Sequence, residues 1–419
     1  MTSVQLQLLF VDVALILLLA RGLGAVAARF GQPPVVGEIL AGIALGPTLF
    51  HGALARTLFP TDIRPPLTAL ADVGLALFMF AVGLEMEGGV LRGRGRVAAG
   101  AAMGSTLVPF ALGLGLGGYL LLDHHAAHRG AFVVFVGLSV SVTAFPVLAR
   151  ILADRKLAAT DLGSVALAAA AAVDVAAWLA LAAIQAVVGG GLQNWKIALT
   201  LPYLAVLLLV VRPLLRRMLA GEDGEGPFAA HTFAVVLTGA LASAAATEAA
   251  GLHFIFGAFL FGAVMPRRGT AALRERYRER TGQAAALLLP VYFVTAGLSV
   301  NLGGLSGRDL ADLAVIMAVA VVGKFAGTYL GARTQRLPPR PAAALGVLMN
   351  TRGLTELVIL GIGLQLGLLD GRLYSLMVVM AVVTTVMTGP LLARVYTRPV
   401  EVPRGARAPE PRPVAARSH

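Results

Sequence analysis

Long apolar runs between short polar breaks restrict what this chain can fold into more than any other feature. There are thirteen, at about 4–28, 34–50, 67–86, 97–122, 130–152, 160–188, 195–218, 228–250, 252–265, 284–301, 309–332, 342–368 and 372–396. About 20 apolar residues carry a helix across the hydrocarbon layer, and lipid tolerates only helices or closed barrels. The pattern predicts an all-α polytopic membrane protein with about 13 transmembrane helices. The ninth run is short, and Pro146 interrupts the fifth. Charged residues are only 13% of the 419, against roughly 25% in soluble domains. Forty-nine glycines suit close approach between membrane helices.

Positive charge tests the count. Of 34 lysines and arginines, 26 follow odd-numbered runs, among them Arg92, Arg155, Arg217, Arg276 and Arg340, and the arginines after the thirteenth. Six follow even-numbered runs: Arg56, Arg64, Arg129, Lys196, Arg308 and Arg372. Basic loops stay cytoplasmic, so the N-terminus is expected outside and the C-terminus inside. The first run has its arginines after it, which suits a retained helix better than a cleaved signal peptide. The +12 charge belongs to these loops and is no sign of nucleic-acid binding. Absence of cysteine excludes disulfides and thiolate-bound metal. The arginine, alanine and glycine bias points to a bacterial inner membrane.

The chain resembles itself. Ile39–Gly46 matches Ile255–Gly262, 216 residues later, and the segment from Phe78 matches the one from Tyr292, 214 later. The register is seven helices, so two six-helix units of about 4–188 and 228–396, linked by the helix at about 195–218, would run in opposite orientations. Inverted repeats are a transporter architecture with the substrate site near the midplane. Residues 1–400 then form the membrane transport domain, and 401–419 a disordered cytoplasmic tail rich in Pro and Arg.

Charge deep in a bilayer marks function. Asp174 stands about 14 residues from either end of the sixth run. A carboxylate there binds a monovalent cation or a proton but not both, and that competition is the minimal physics of exchange. In the fifth run Pro146 breaks the backbone ladder; in the twelfth, Asn350, Thr351 and Gly353 put polar and flexible positions mid-membrane. Two unwound, facing helices are expected, their freed carbonyls and the hydroxyls of Thr143 or Ser141 coordinating a cation beside Asp174. Lys324 is a charge partner of that carboxylate or a neutraliser of the half-helix ends, rather than a side chain snorkelling to the surface. Arg352 and Glu356, four apart, pair along one helix face or compensate charges on other helices. Glu38 reads as an interfacial charge. Glu85 and Glu87 sit near the cytoplasmic entrance, and Asp12 and Asp72 pair locally or face water. His124, His125 and His128 read as a solvated outer loop rather than a metal cluster.

The segments 33–50, 74–87, 141–152, 290–302 and 350–360 together resemble the sodium/hydrogen exchanger family. The nearest branch is the cation:proton antiporter-2 type, with Kef-like and plant cation/proton exchangers. The resemblance runs from about Val4 to Val395. It implies Na+/H+ or K+/H+ exchange without a cofactor, a homodimer, and a core domain moving against a dimer domain. It places the family's essential aspartate at Asp174, its neighbouring threonine at Thr143 and its lysine at Lys324. Val173 departs from the pattern, which favours Asp, Asn or Gln before that aspartate. A single carboxylate suggests one-for-one exchange. The nucleotide-binding domain of many Kef-like relatives has no counterpart here, since no GxGxxG follows a strand. A cation channel, a transporter of organic solutes on a related fold and an intramembrane enzyme are the alternatives. The repeat argues against the first, and the lack of a catalytic constellation argues against the last.

Overall fold

The computed structural model describes residues 2–49, 52–60, 62–85, 95–124, 126–158, 160–188, 199–219, 228–266 and 271–396. Among them every regular element is helical. In chain order these are α1 (Ser3–Arg29), α2 (Pro34–Leu45), α3 (Ala53–Leu58), α4 (Arg64–Glu85), α5 (Gly95–Leu120), α6 (Arg129–Ser141), α7 (Phe145–Asp154) and α8 (Asp161–Val188). Then come α9 (Thr200–Val206), a π segment (Leu207–Val211), α10 (Arg212–Met218), α11 (Phe228–Ala249), α12 (Phe254–Val264) and α13 (Ala271–Leu298). The chain ends in α14 (Gly307–Thr334), α15 (Pro339–Met349), α16 (Leu354–Gln365) and α17 (Gly371–Val395). The expected tail at 401–419, the first residues of the run at 195–218, Glu87 and His125 lie outside the described residues.

Nine described stretches are long and apolar enough to cross a membrane, Arg129–Asp154 counting as one. The pair α15–α16, bent by 43°, makes a tenth, and α2 and α12 are shorter apolar helices. Where helix and apolar run disagree, local chemistry decides. The run at 34–50 stops being helical at Leu45, because Gly46 is extended and Pro47 follows with no N–H to donate. The run at 284–301 begins a helix too late. The charged stretch from Ala271 continues α13 for about three turns beyond it, and Arg274 anchors it by donating to the Leu84 carbonyl.

Two groups of helices pack within themselves. In one, α4 runs along α13, α2 lies on α13, α12 on α4, α1 on α2 and α11 on α12. In the other, α5 runs along α14, flanked by α6, α8, α15 and α17. Contact between the groups runs chiefly through α13–α16 and α2–α17. Three hydrogen bonds tie them: Tyr374 hydroxyl to Ala296 carbonyl, 3.1 Å, Asn301 N–H to Ser375 hydroxyl, 3.0 Å, and His253 N–H to the Gln185 side-chain oxygen, 3.2 Å. We call the first group the panel and the second the core.

Glycine permits the closest crossings. A Cβ on Gly104 would lie 2.1 Å from the Gly327 carbonyl, and one on Gly331 would lie 2.2 Å from that of Gly100. Four-residue glycine spacing on both α5 and α14 lets the two backbones touch. The panel shows matched crossings. A Cβ on Gly42 meets the Val294 carbonyl and Gly297, and one on Gly262 meets the Phe80 carbonyl and Gly83. Gly37 sits against Leu23, and Gly257 against Ser243. Gly31 and Gly251, both at positive φ, introduce α2 and α12. These pairs relate α2 to α12 at a separation of 220 residues. The 216 suggested by Ile39–Gly46 is one helical turn short.

Candidate functional site

The core is built around two interrupted helices. The ladder stops at Ser141, where Val142 is extended, and restarts at Phe145 with Pro146 in the first turn. Proline costs nothing at that position, where its missing N–H has no helical acceptor. Pro146 therefore restarts the helix; the break itself is Val142–Ala144. The second interruption separates Met349 from Leu354, with Gly353 as N-cap. The breaks cross each other. Thr143 hydroxyl donates to the Met349 carbonyl at 2.8 Å, and Ala144 N–H to the Thr351 carbonyl at 3.0 Å. A Cβ on Gly353 would lie 2.5 Å from Val147, so glycine sets this approach.

Two cations occupy the freed end of α6. Arg352, fully buried, donates to the carbonyls of Ser139 at 2.8 Å and Val140 at 2.6 Å, and to Glu356 at 2.9 Å. The pair is not intrahelical, since Arg352 lies in the break and Glu356 in the first turn of α16; of the two readings, compensation of another helix is the one the contacts favour. Lys324, fully buried on α14, donates to the carbonyls of Ser105 at 3.0 Å and Ser141 at 2.5 Å and to the Thr143 hydroxyl at 2.6 Å. Those contacts use all three of its N–H groups. It touches no carboxylate and does not snorkel. Positive charge at a helix C-terminus is the favourable arrangement. Val173 packs in an apolar cluster with Leu148 and Val165, and Lys324 needs nothing from it.

Asp174, 5% exposed on α8, meets the other ends. One oxygen accepts the Phe145 N–H at 3.3 Å, at the start of α7, and the Thr355 hydroxyl at 3.5 Å, in the first turn of α16. Negative charge thus lies at helix N-termini, positive charge at the α6 C-terminus. The second oxygen is buried with no partner. Asp174 lines a cavity of about 30 Å³ with Val82, Phe145, Ala171, Val175, Trp178 and Phe259, room for a water or one dehydrated monovalent cation. Across the crossing, Thr385 of α17 accepts the Arg352 N–H at 3.0 Å. A hydroxyl stands there where α8 presents a carboxylate. Among the described residues no cluster of three metal-ligating side chains occurs.

The hydroxyls expected beside the cation are committed elsewhere. Ser141 donates to the Leu138 carbonyl at 2.8 Å within its own helix, and Thr143 is held between Lys324 and Met349. Neither bonds Asp174. The carbonyls expected to be free are taken by Arg352 and Lys324. Thr355 was missed; its signal is a hydroxyl in the first turn after the second break, facing whatever the first turn of α7 faces.

Other expectations also change. Asp12 is 1% exposed with both oxygens unpartnered, neither paired nor in water. Asp72 lines a separate cavity. His124 is buried, not solvated. It bonds Asp370, the N-cap of α17, at 2.6 Å. The bond to Asp370 holds the His124 imidazole above its ordinary 6.5, and the bond to His124 holds Asp370 below the usual carboxylate range.

Residues 14–397 match the transmembrane region of the sodium/hydrogen exchanger family. The chain is 36% identical over 411 residues to the Na(+)/H(+) antiporter NhaS4 of Synechocystis sp., covering 95% of this chain and all of that one. It is 37% identical over 406 residues to Cation/H(+) antiporter 17 of Arabidopsis thaliana, and 33% identical over 416 to K(+)/H(+) antiporter 1 of Saccharomyces cerevisiae. Those matches cover 93% and 94% of this chain but only 48% and 47% of the relatives, so the chain spans about half their length. The fold is that of the sodium proton antiporter MjNhaP1 of Methanocaldococcus jannaschii, with a TM-score of 0.65 at 12% identity, covering 93% of this chain and 99% of that one.

Proposed function

The chain belongs to the sodium/hydrogen exchanger family, and from that premise we propose that it is an antiporter exchanging Na+ or K+ for protons, the two competing for Asp174. It is a multi-pass membrane transporter, not an enzyme. The observation that carries the reading is the buried Asp174 carboxylate at the crossing, one oxygen of it unpartnered, on the lining of a small cavity. A dehydrated cation satisfies that oxygen, and so does a proton, but one excludes the other. Lys324, Arg352 and Glu356 are committed to the half-helix ends and to one another, so at the crossing, among the described residues, the charge available to alternate is that of Asp174. Thr355 joins Asp174 as a cation ligand; Thr143 and Ser141 shape the break.

One carboxylate with no acidic neighbour supports one-for-one, electroneutral exchange. The arginine pattern supports an N-terminus outside and a C-terminus inside, in a bacterial inner membrane. The matched glycine crossings at 220 residues support two inverted units, about 4–188 and 228–396, and family membership supports a homodimer. Proteoliposomes under an imposed voltage test the stoichiometry. Exchange at a rate indifferent to voltage is expected, and a net current contradicts it.

A further inference from the structure

A second cavity lies between panel and core at the end of the bundle that the proposed topology puts outside. Its volume is about 250 Å³, room for several waters. Panel residues Thr68, Asp72, His253, Tyr292 and Thr295 line one side, and Gln365 of α16 the other. No lysine or arginine is among its lining residues, although the chain carries +12. Among the described residues Asp72 has no hydrogen bond or ion pair. The Nδ1 of His253 is buried without a partner. Unmet polar groups around such a space call for water or an ion.

Two helix faces connect this cavity to Asp174. On α16, Val358, Ile362 and Gln365 line it, and Thr355, which reaches Asp174, lies on the same face one turn below. One turn rises about 5.4 Å. On α4, Thr68, Asp72 and Leu75 line it. Val82, seven residues beyond Leu75 and so on the same face, lines the cavity at Asp174. On each face the lining residue nearest to Asp174 in register, Leu75 on α4 and Val358 on α16, is apolar.

From this geometry we infer that the outer cavity is a separate admission site for a hydrated monovalent cation, with Asp72 as its charge and Leu75 and Val358 as the apolar floor to be parted before the ion reaches Asp174. A cleft of one sign with low-dielectric walls concentrates counter-ions by about tenfold or more. Asp72 does so without binding the ion in dehydrated form, because a space of about 250 Å³ has room for the ion together with waters of its shell. The inference rests on the exchange reading for what the ion does next, not for its presence here.

The chain has no cysteine, which allows a test that does not depend on transport. A Thr295→Cys reporter in the cavity and an exposed Ala127→Cys control at the same end are made in the full-length protein in proteoliposomes. Each is treated from outside with membrane-impermeant cationic and anionic thiol reagents. We expect Thr295→Cys to react about tenfold faster with the cationic reagent, normalised to the control. Asp72→Asn should abolish that preference and Asp72→Glu retain it. Sodium or potassium should slow the cationic reagent. No charge preference at Thr295→Cys, a preference that survives Asp72→Asn, or reaction only from the other face would overturn the assignment. If the preference stands while the native protein shows no cation-dependent proton movement, the exchange reading fails and the site remains.

Discussion

At the scale of single residues, the site is a division of charges into fixed and exchangeable. Lys324 is held by carbonyls of α5 and α6 and the Thr143 hydroxyl, and Arg352 by two α6 carbonyls and Glu356; Asp174 has an oxygen left over. Thr355 is then worth one ligand. Thr355→Val should raise the half-saturating cation concentration about fivefold, the worth of roughly 1 kcal/mol, with Thr355→Ser near native. An unchanged value in both would remove Thr355 from the site. Asp174 was readable from its place alone, since a carboxylate mid-span is conspicuous. Thr355 was not, because a threonine in a membrane helix more often bonds its own backbone. Only the crossing of the breaks turns it outward. Ser141 and Thr143 misled for the same reason: hydroxyls look like ligands until their acceptors are known.

His124 and Asp370 make a residue-level prediction at the outer surface. The imidazole is held above 6.5, so its contribution is complete below that pH and is lost as pH rises through the raised value. Asp370 is held below 3.8, so its part is lost only as pH falls into the acid range. His124→Ala should therefore lower thermal stability most between about pH 4 and 6.5. Asp370 is half exposed, so screening limits the cost to about 1 kcal/mol. Unfolding midpoints that differ by the same amount at pH 5 and pH 9 would contradict this.

At the scale of elements, two devices recur: helices that touch through glycine, and helices that stop midway. Gly104→Val puts a side chain into the Gly327 carbonyl and should cost at least the 1–3 kcal/mol of ordinary overpacking. Gly115→Val, on the same helix with nothing within 4 Å, should be close to neutral. Comparable unfolding midpoints would mean that the α5–α14 contact is not backbone to backbone. For the broken helices, Arg352→Gln strands Glu356 and two carbonyls, a loss of about 3–5 kcal/mol. Adding Glu356→Gln should recover part of it, and a double variant worse than the single would show that the pair is not coupled. The apolar runs located these elements within a few residues, because membrane thickness sets their length. Their ends needed local chemistry. Pro47 shortened α2, and the charged start of α13 escaped a reading tuned to apolar residues. The one-turn error in the repeat arose because α12 is apolar almost throughout, with phenylalanine at four of its eleven positions. Several registers look alike there until backbone contacts choose one.

At the scale of the whole molecule, a panel and a core meet over few contacts and enclose two spaces, one at Asp174 and one at Asp72. The bonds Tyr374–Ala296 and Asn301–Ser375 join the groups at the Asp72 end. Moving the core past the panel has to break them. Alternating access needs such a weak seam, and a lone titratable site carried by the moving part is enough to couple cation to proton. The most direct measurement is the collapse of an imposed pH gradient in proteoliposomes when Na+ or K+ is added separately, for the native chain and for Asp174→Asn. Collapse by at least one cation in the native protein and none in the variant is the predicted result. Equal collapse in both, or no cation-dependent proton movement by the native protein at any pH, would contradict exchange through Asp174.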